Sequence, residues 1–261
     1  MKTFAAVLAM AFVFAGVSPA RAEVKTEVVE YRHGDVVLEG YLAYDAALRG
    51  KRPGVLVVHE WNGHNPYVRK RAEQLARLGY VAFALDMYGK GVRAKDAKES
   101  AALAGIYKGD RELMRARAAA GLDVLRSRPE TDPARLAAIG YCFGGTTVLE
   151  LARSGADLVS VVSFHGGLDT PTPGDARNIK GKVLALHGGD DPSVPAKQVE
   201  AFQEEMRKGG VDWQFAAYGG AVHSFTNPEA GSDNSKGAAY NERADRRSWE
   251  AMKAFFAETL N

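Results

Sequence analysis

Short apolar runs of four or five residues recur along this chain, separated by longer stretches in which apolar positions return every third or fourth residue. The runs at 55–58, 81–85, 136–139, 159–163, 183–186 and 213–217 are too short for helices. Being mostly apolar without alternation, they read as strands buried on both faces, as in a parallel sheet. Residues 24–31 and 36–43 flank His33-Gly34-Asp35 and predict an antiparallel hairpin ahead of them. Between the runs, helical periodicity covers 68–78, which stops at Gly79, and 111–126, which stops before Pro129. It covers 196–208 as well, ending at Gly209-Gly210, and a last helix carries Trp249, Met252 and Phe256 on one face. A hairpin followed by repeated βα units predicts the α/β class: a mostly parallel central sheet with an N-terminal antiparallel hairpin and helices on both faces.

Composition narrows this in three ways. With 261 residues, of which 46% are hydrophobic and 25% charged, the chain can bury one large core, so residues 23–261 are expected to form a single domain. The 34 basic and 32 acidic residues are mixed along the chain, and no basic stripe points to nucleic acid. The first residues differ. Lys2, the apolar stretch 4–17 and the small residues around Ala20 and Ala22 have the make-up of a secretory signal cleaved after Ala22. The stretch is shorter than the roughly 20 residues needed to span a bilayer. The mature chain is therefore expected in the periplasm or outside the cell, off the membrane, as a monomer or small homo-oligomer.

A single cysteine cannot form an internal disulfide, and here it occupies an unusual place. Cys142 lies in Gly140-Tyr141-Cys142-Phe143-Gly144-Gly145, where the run 136–139 turns into a helix. Small residues on both sides let a strand-to-helix bend hold a nucleophile above the sheet, as in α/β-hydrolases. Three further strand ends carry reactive groups: His59-Glu60-Trp61-Asn62-Gly63, His187-Gly188-Gly189-Asp190-Asp191, and Gly219-Gly220-Ala221-Val222-His223. In an open α/β sheet such ends converge on one crevice. The chain order of nucleophile, acid and histidine is that of α/β-hydrolases.

The residue types suit the chemistry. Cys142 needs a base to supply its thiolate, His223 can move that proton near neutral pH, and an aspartate can fix the imidazole tautomer. Asp191 is preferred to Asp190 for that role, although both sit in a turn where aspartate commonly serves local bonding. The N–H groups of Phe143 and Trp61 would face a developing oxyanion. Glu60, beside a thiol, would hold it neutral and resistant to oxidation. Tyr88 and Lys90 are expected to contact substrate. His59, His64, His165 and His187 match no zinc-site spacing and read as pocket or packing residues; no metal or organic cofactor is implied. Ser163, Ser193 and Ser224 lack the flanking glycines of a nucleophile turn.

Taken together, Gly140 to Gly145, His187-Gly188-Gly189-Asp190-Asp191-Pro192-Ser193-Val194-Pro195, Gly220-Ala221-Val222-His223-Ser224-Phe225 and Glu60 resemble the dienelactone hydrolase family, over essentially the whole chain after the leader. The resemblance implies an α/β-hydrolase fold, a Cys142/His223/Asp191 triad, an oxyanion hole from Trp61 and Phe143, and Glu60 as partner of the resting thiol. The implied activity is hydrolysis of small carboxylic esters or lactones through a Cys142 acyl-enzyme. Thioester hydrolysis and a non-catalytic ligand-binding module on the same scaffold are the alternatives. Family members that cleave dienelactone hold its carboxylate with two arginines, whereas Lys90 and Thr226-Asn227 stand at those places here. Lysine does not replace a bidentate arginine clamp, which points away from dienelactone itself.

Overall fold

The apolar runs assemble into one eight-stranded sheet in the computed structural model, which describes residues 22–260. Apart from Ala22, the expected leader over residues 1–22 lies outside the described residues. Strands β1 (Val24–His33) and β2 (Val36–Asp45) form the expected hairpin. Then follow β3 (Arg52–Val58), β4 (Val81–Ala84), β5 (Thr131–Tyr141), β6 (Ser160–Phe164), β7 (Lys182–Gly188) and β8 (Trp213–Tyr218). The spatial order is β1-β2-β4-β3-β5-β6-β7-β8, with β4 antiparallel to β2 and every pair beyond it parallel.

Because successive side chains along a strand face opposite sides, the inner runs feed two cores, whereas β8, expected to be buried on both faces, is the sheet edge and only partly buried. Leu56, Val58, Leu136 and Ala138 face one side with α3 (Arg111–Ser127), α4 (Phe143–Arg153) and α5 (Ala196–Gly209). Val55, Val57, Ala137 and Ile139 face the other, against α1 (Pro66–Arg77) and α6 (Glu242–Thr259). Fully burying such an aliphatic side chain is worth about 1.5–3 kcal/mol, which is why both faces must be covered. The helix α2 (Ala97–Gly109) adds Ala104 and Tyr107 to the first core.

The connection from β3 runs outward to β4 and then returns past β3 to β5. That reversal opens a crevice between the carboxyl ends of β3 and β5, the place where such sheets bind ligands. Glu60 and Trp61 leave the first of these ends and Cys142 the second. Behind Cys142, α4 is buried along its whole length. Its two charged residues are held by partners: Arg153 donates to Glu150 at 3.0 Å and to Glu205 on α5 at 2.7 Å, and Arg115 on α3 reaches Glu150 at 2.7 Å. Buried charges are tolerated only with such pairing.

Candidate active site

The bend after β5 is sharp. Cys142 stands at φ 54°, ψ −115°, outside the regions open to L residues, and caps α4 without a side-chain bond. Two glycines permit it. A methyl group on Gly140 would run into the Gly144 carbonyl, and one on Gly144 into the Val58 carbonyl of β3. Among the described residues the non-glycine positive-φ positions are Cys142, His165 and Ser224, all three around this site. Strain concentrated in this way marks functional positions.

The bend places Cys142 Sγ 3.0 Å from His223 Nε2, and His223 Nδ1 lies 2.7 Å from Asp191 Oδ2. The second Asp191 oxygen accepts the Ser193 N–H at 2.8 Å, which fixes the carboxylate. Its neighbour Asp190 does not meet His223 and instead accepts the Gly220 N–H at 3.1 Å, tying the turn after β7 to the loop that carries His223. His223 is anchored by its own backbone, N–H to Gly237 O at 3.2 Å and C=O from Ala239 N–H at 3.0 Å. Burial opposes charge on this imidazole, but the Cys142 sulfur and the Asp191 bond outweigh it and raise its pKa from 6.5 to about 10. The arrangement favours an imidazolium facing the sulfur at neutral pH.

The N–H groups of Phe143 and Trp61 donate to no other described residue, and both residues line the cavity over Cys142. Trp61 is positioned from behind. Tyr88 OH donates to its carbonyl at 2.9 Å, and His59, wedged between Phe143 and Tyr88, bonds the Glu60 carbonyl at 2.6 Å. His59 also accepts the Met87 N–H at 3.2 Å, so it is a buried neutral ring that braces the loop, its pKa lowered by burial.

Three expectations need correction. Glu60 lines the cavity but is not paired with the thiol; its carboxylate accepts from Asn227 Nδ2 at 2.5 Å and Ser224 Oγ at 3.3 Å, while the sulfur is engaged by His223. Amide and hydroxyl donors give a carboxylate directional bonds that a thiol cannot match. Burial pushes the Glu60 pKa upward, against the effect of those two bonds and of His223. Tyr88 does not reach the cavity, being packed on Phe143 and Tyr107 as a support of the Trp61 loop. Lys90 points the other way and pairs with Glu30 on β1 at 2.5 Å, half exposed.

The cavity measures about 670 Å³, with Lys108 from the end of α2 and Lys236 from the short 3-10 turn Asn234–Lys236 on its wall, together with Thr146, Asp169 and Val194. Neither lysine carries a motif, so nothing in the sequence marks them. Asn227, which with Thr226 stands at the second arginine place, is bound to Glu60.

A parallel-sheet crevice holding a Cys–His–Asp line on a glycine-bounded bend defines an α/β-hydrolase. Within that class the chain belongs to the dienelactone hydrolase family, whose sequence profile matches residues 38–260. Among solved structures it is similar to m3DLH, with 45% identity, a TM-score of 0.88, and coverage of 91% of this chain and 99% of that one. It is also similar to a dienelactone hydrolase-like promiscuous phosphotriesterase from metagenomic libraries, with 43% identity, a TM-score of 0.86 and the same coverage. Protein usf of Aquifex pyrophilus is 28% identical over 238 residues, covering 90% of this chain and 99% of that protein. Membership makes the chain a hydrolase of the ester and lactone type.

Proposed function

We propose that this hydrolase cleaves small carboxylic esters or lactones through a covalent Cys142 acyl-enzyme. The observation that supports it is the continuous line from Cys142 Sγ through His223 to Asp191, at 3.0 and 2.7 Å. In acylation the thiolate attacks the carbonyl carbon, and the C=O electron pair moves to oxygen, where the Phe143 and Trp61 N–H groups receive it. Collapse breaks the C–O bond, and the alkoxide leaves with the His223 proton. A water then gives a proton to His223 as it attacks the thioester, and the second collapse returns the thiolate. Glu60, through Asn227 and Ser224, would hold the segment that follows His223 in place. A cavity of about 670 Å³ suits substrates of modest size.

Incubation with p-nitrophenyl acetate, acid quenching and peptide mass spectrometry should find acetate on the Cys142 peptide, and Cys142→Ala should abolish turnover. Full activity in Cys142→Ala would overturn the proposal. We propose likewise that residues 1–22 direct export; cell fractionation with N-terminal sequencing should find the mature chain starting at Glu23 outside the cytoplasm. A cytoplasmic, uncleaved chain would refute it.

A further inference from the structure

A line of buried polar groups behind the sulfur takes no part in the steps above. His165 follows β6, is fully buried and is held at φ 40°. Its Nδ1 lies 3.1 Å from the Cys142 backbone nitrogen and its Nε2 lies 2.7 Å from Thr226 Oγ1. Thr226 Oγ1 is 2.6 Å from the Tyr67 hydroxyl on α1, to which Arg71 Nε donates at 3.2 Å. Arg71 continues to the Thr226 carbonyl at 2.8 Å and to Asp245 on α6 at 2.5 Å. Two helices on the far face of the sheet are thus joined to the peptide of the candidate nucleophile.

The Cys142 end of this line fixes the tautomer of the ring. The Cys142 N–H only donates, so Nδ1 of His165 is bare and the proton of the neutral ring sits on Nε2, directed at Thr226 Oγ1. The Thr226 and Tyr67 hydroxyls, 2.6 Å apart, can each donate to the other, and the Tyr67 hydroxyl also lies 3.3 Å from the Thr226 carbonyl. An imidazolium would set N–H against N–H at Cys142. Burial, the first cause, and the charge on His223 hold the His165 pKa well below its usual value, in keeping with a neutral ring.

We infer that His165 is a positioning residue for Cys142: its bare Nδ1 holds the Cys142 N–H, and with it the strained peptide that aims Sγ at His223 and the Phe143 N–H at the oxyanion. The inference rests on the acyl-enzyme reading above. The same N–H also reaches the Phe164 carbonyl at 3.0 Å, the end of the β5–β6 ladder. The ring is therefore a second, rigid acceptor at a residue whose φ no ladder bond favours.

Two conservative replacements separate this role from simple filling of space. Asparagine sets its side-chain oxygen where Nδ1 stands, whereas glutamine sets its amide near Nε2 and leaves the Cys142 N–H without that acceptor. In single-turnover acylation by p-nitrophenyl acetate, His165→Asn should stay within about threefold of wild type. His165→Gln should be slower by about fivefold to tenfold, the scale of one neutral hydrogen bond, with substrate Kd and Tm close to those of His165→Asn. Nitrogen-15 spectra of the histidine-labelled wild type should show His165 protonated on Nε2 alone, a readout that survives any folding defect in the variants. Equal acylation rates in the two variants, or a protonated Nδ1, would overturn the inference. Cys142→Ala separates the two levels: if it is inactive while His165→Gln is unimpaired, only the positioning role falls, and if it is fully active the acyl-enzyme reading falls and takes this inference with it.

Discussion

Replacing Asp191 by asparagine keeps the shape of the acceptor on His223 Nδ1 and removes its charge. The contact is 2.7 Å long, and the carboxylate side chain is wholly buried, so little solvent screens it. A bond to a charged group contributes about 1.5–3 kcal/mol and a neutral one about 0.5–1.5. The difference of about 1–1.5 kcal/mol corresponds to about one pKa unit on His223. Its folded pKa is raised from 6.5 to about 10, so the stability this gives is fully present below pH 6.5 and is lost as pH rises through about 10. In Asp191→Asn the loss should be complete about one unit lower. Nitrogen-15 titration of labelled histidines between pH 6 and 11 reads this directly, and Tm over the same range reads the linked stability. Turnover of an alkyl ester, whose leaving alkoxide needs the His223 proton, should fall about fivefold to tenfold at neutral pH, and its alkaline limb should move down with the titration. An unchanged His223 titration in the variant would refute the coupling to Asp191.

Three other perturbations test the surroundings. Glu60→Gln removes a carboxyl whose pKa burial raises; that raised pKa adds stability below about pH 4.5 that is lost as pH rises through the folded value, so the variant should gain Tm over wild type above that window and not below it. A Tm difference independent of pH would show that Glu60 is not strained by ionising. Gly144→Ala forces a methyl onto the Val58 carbonyl and should cost about 1–3 kcal/mol along with most of the turnover; denaturant unfolding and ester assay check both, and a fully active variant would contradict the bend as described. Glu205→Ala leaves Arg153 with Glu150 as its remaining carboxylate in a fully buried setting, which should destabilise by about 3 kcal/mol and lower Tm by on the order of 10 °C. A calorimetric shift of less than a degree or two would remove the cluster from the support of α4.

The element pattern was largely legible in the chain because a strand covered on both faces must be apolar throughout, and few other structures use such short runs. Residues 55–58, 136–139 and 183–186 fall inside β3, β5 and β7, and the glycines around Cys142 announced a bend that only they permit. Cys142, Asp191 and His223 could be picked out for the same reason: strand ends in such a sheet share one edge. Asp191 over Asp190 was a choice between neighbours in one turn, and it was decided by which carboxylate meets His223.

Partnership across the fold was not legible. Glu60 could be placed near the sulfur from its strand end, but only the approach of Asn227 and Ser224 decided that its carboxylate bonds there and not to the thiol. Tyr88 and Lys90 share a loop, yet packing on Phe143 turned one inward and Glu30 drew the other outward, leaving Lys108 and Lys236 on the cavity wall. His165 read only as a pocket or packing residue because its meaning lies in contacts with Cys142 and Thr226, far apart in sequence. Periodicity and glycine placement report what a residue's own backbone requires. A hydrogen bond between distant segments depends on distances of a few tenths of an ångström, which the packed sheet and helices alone determine.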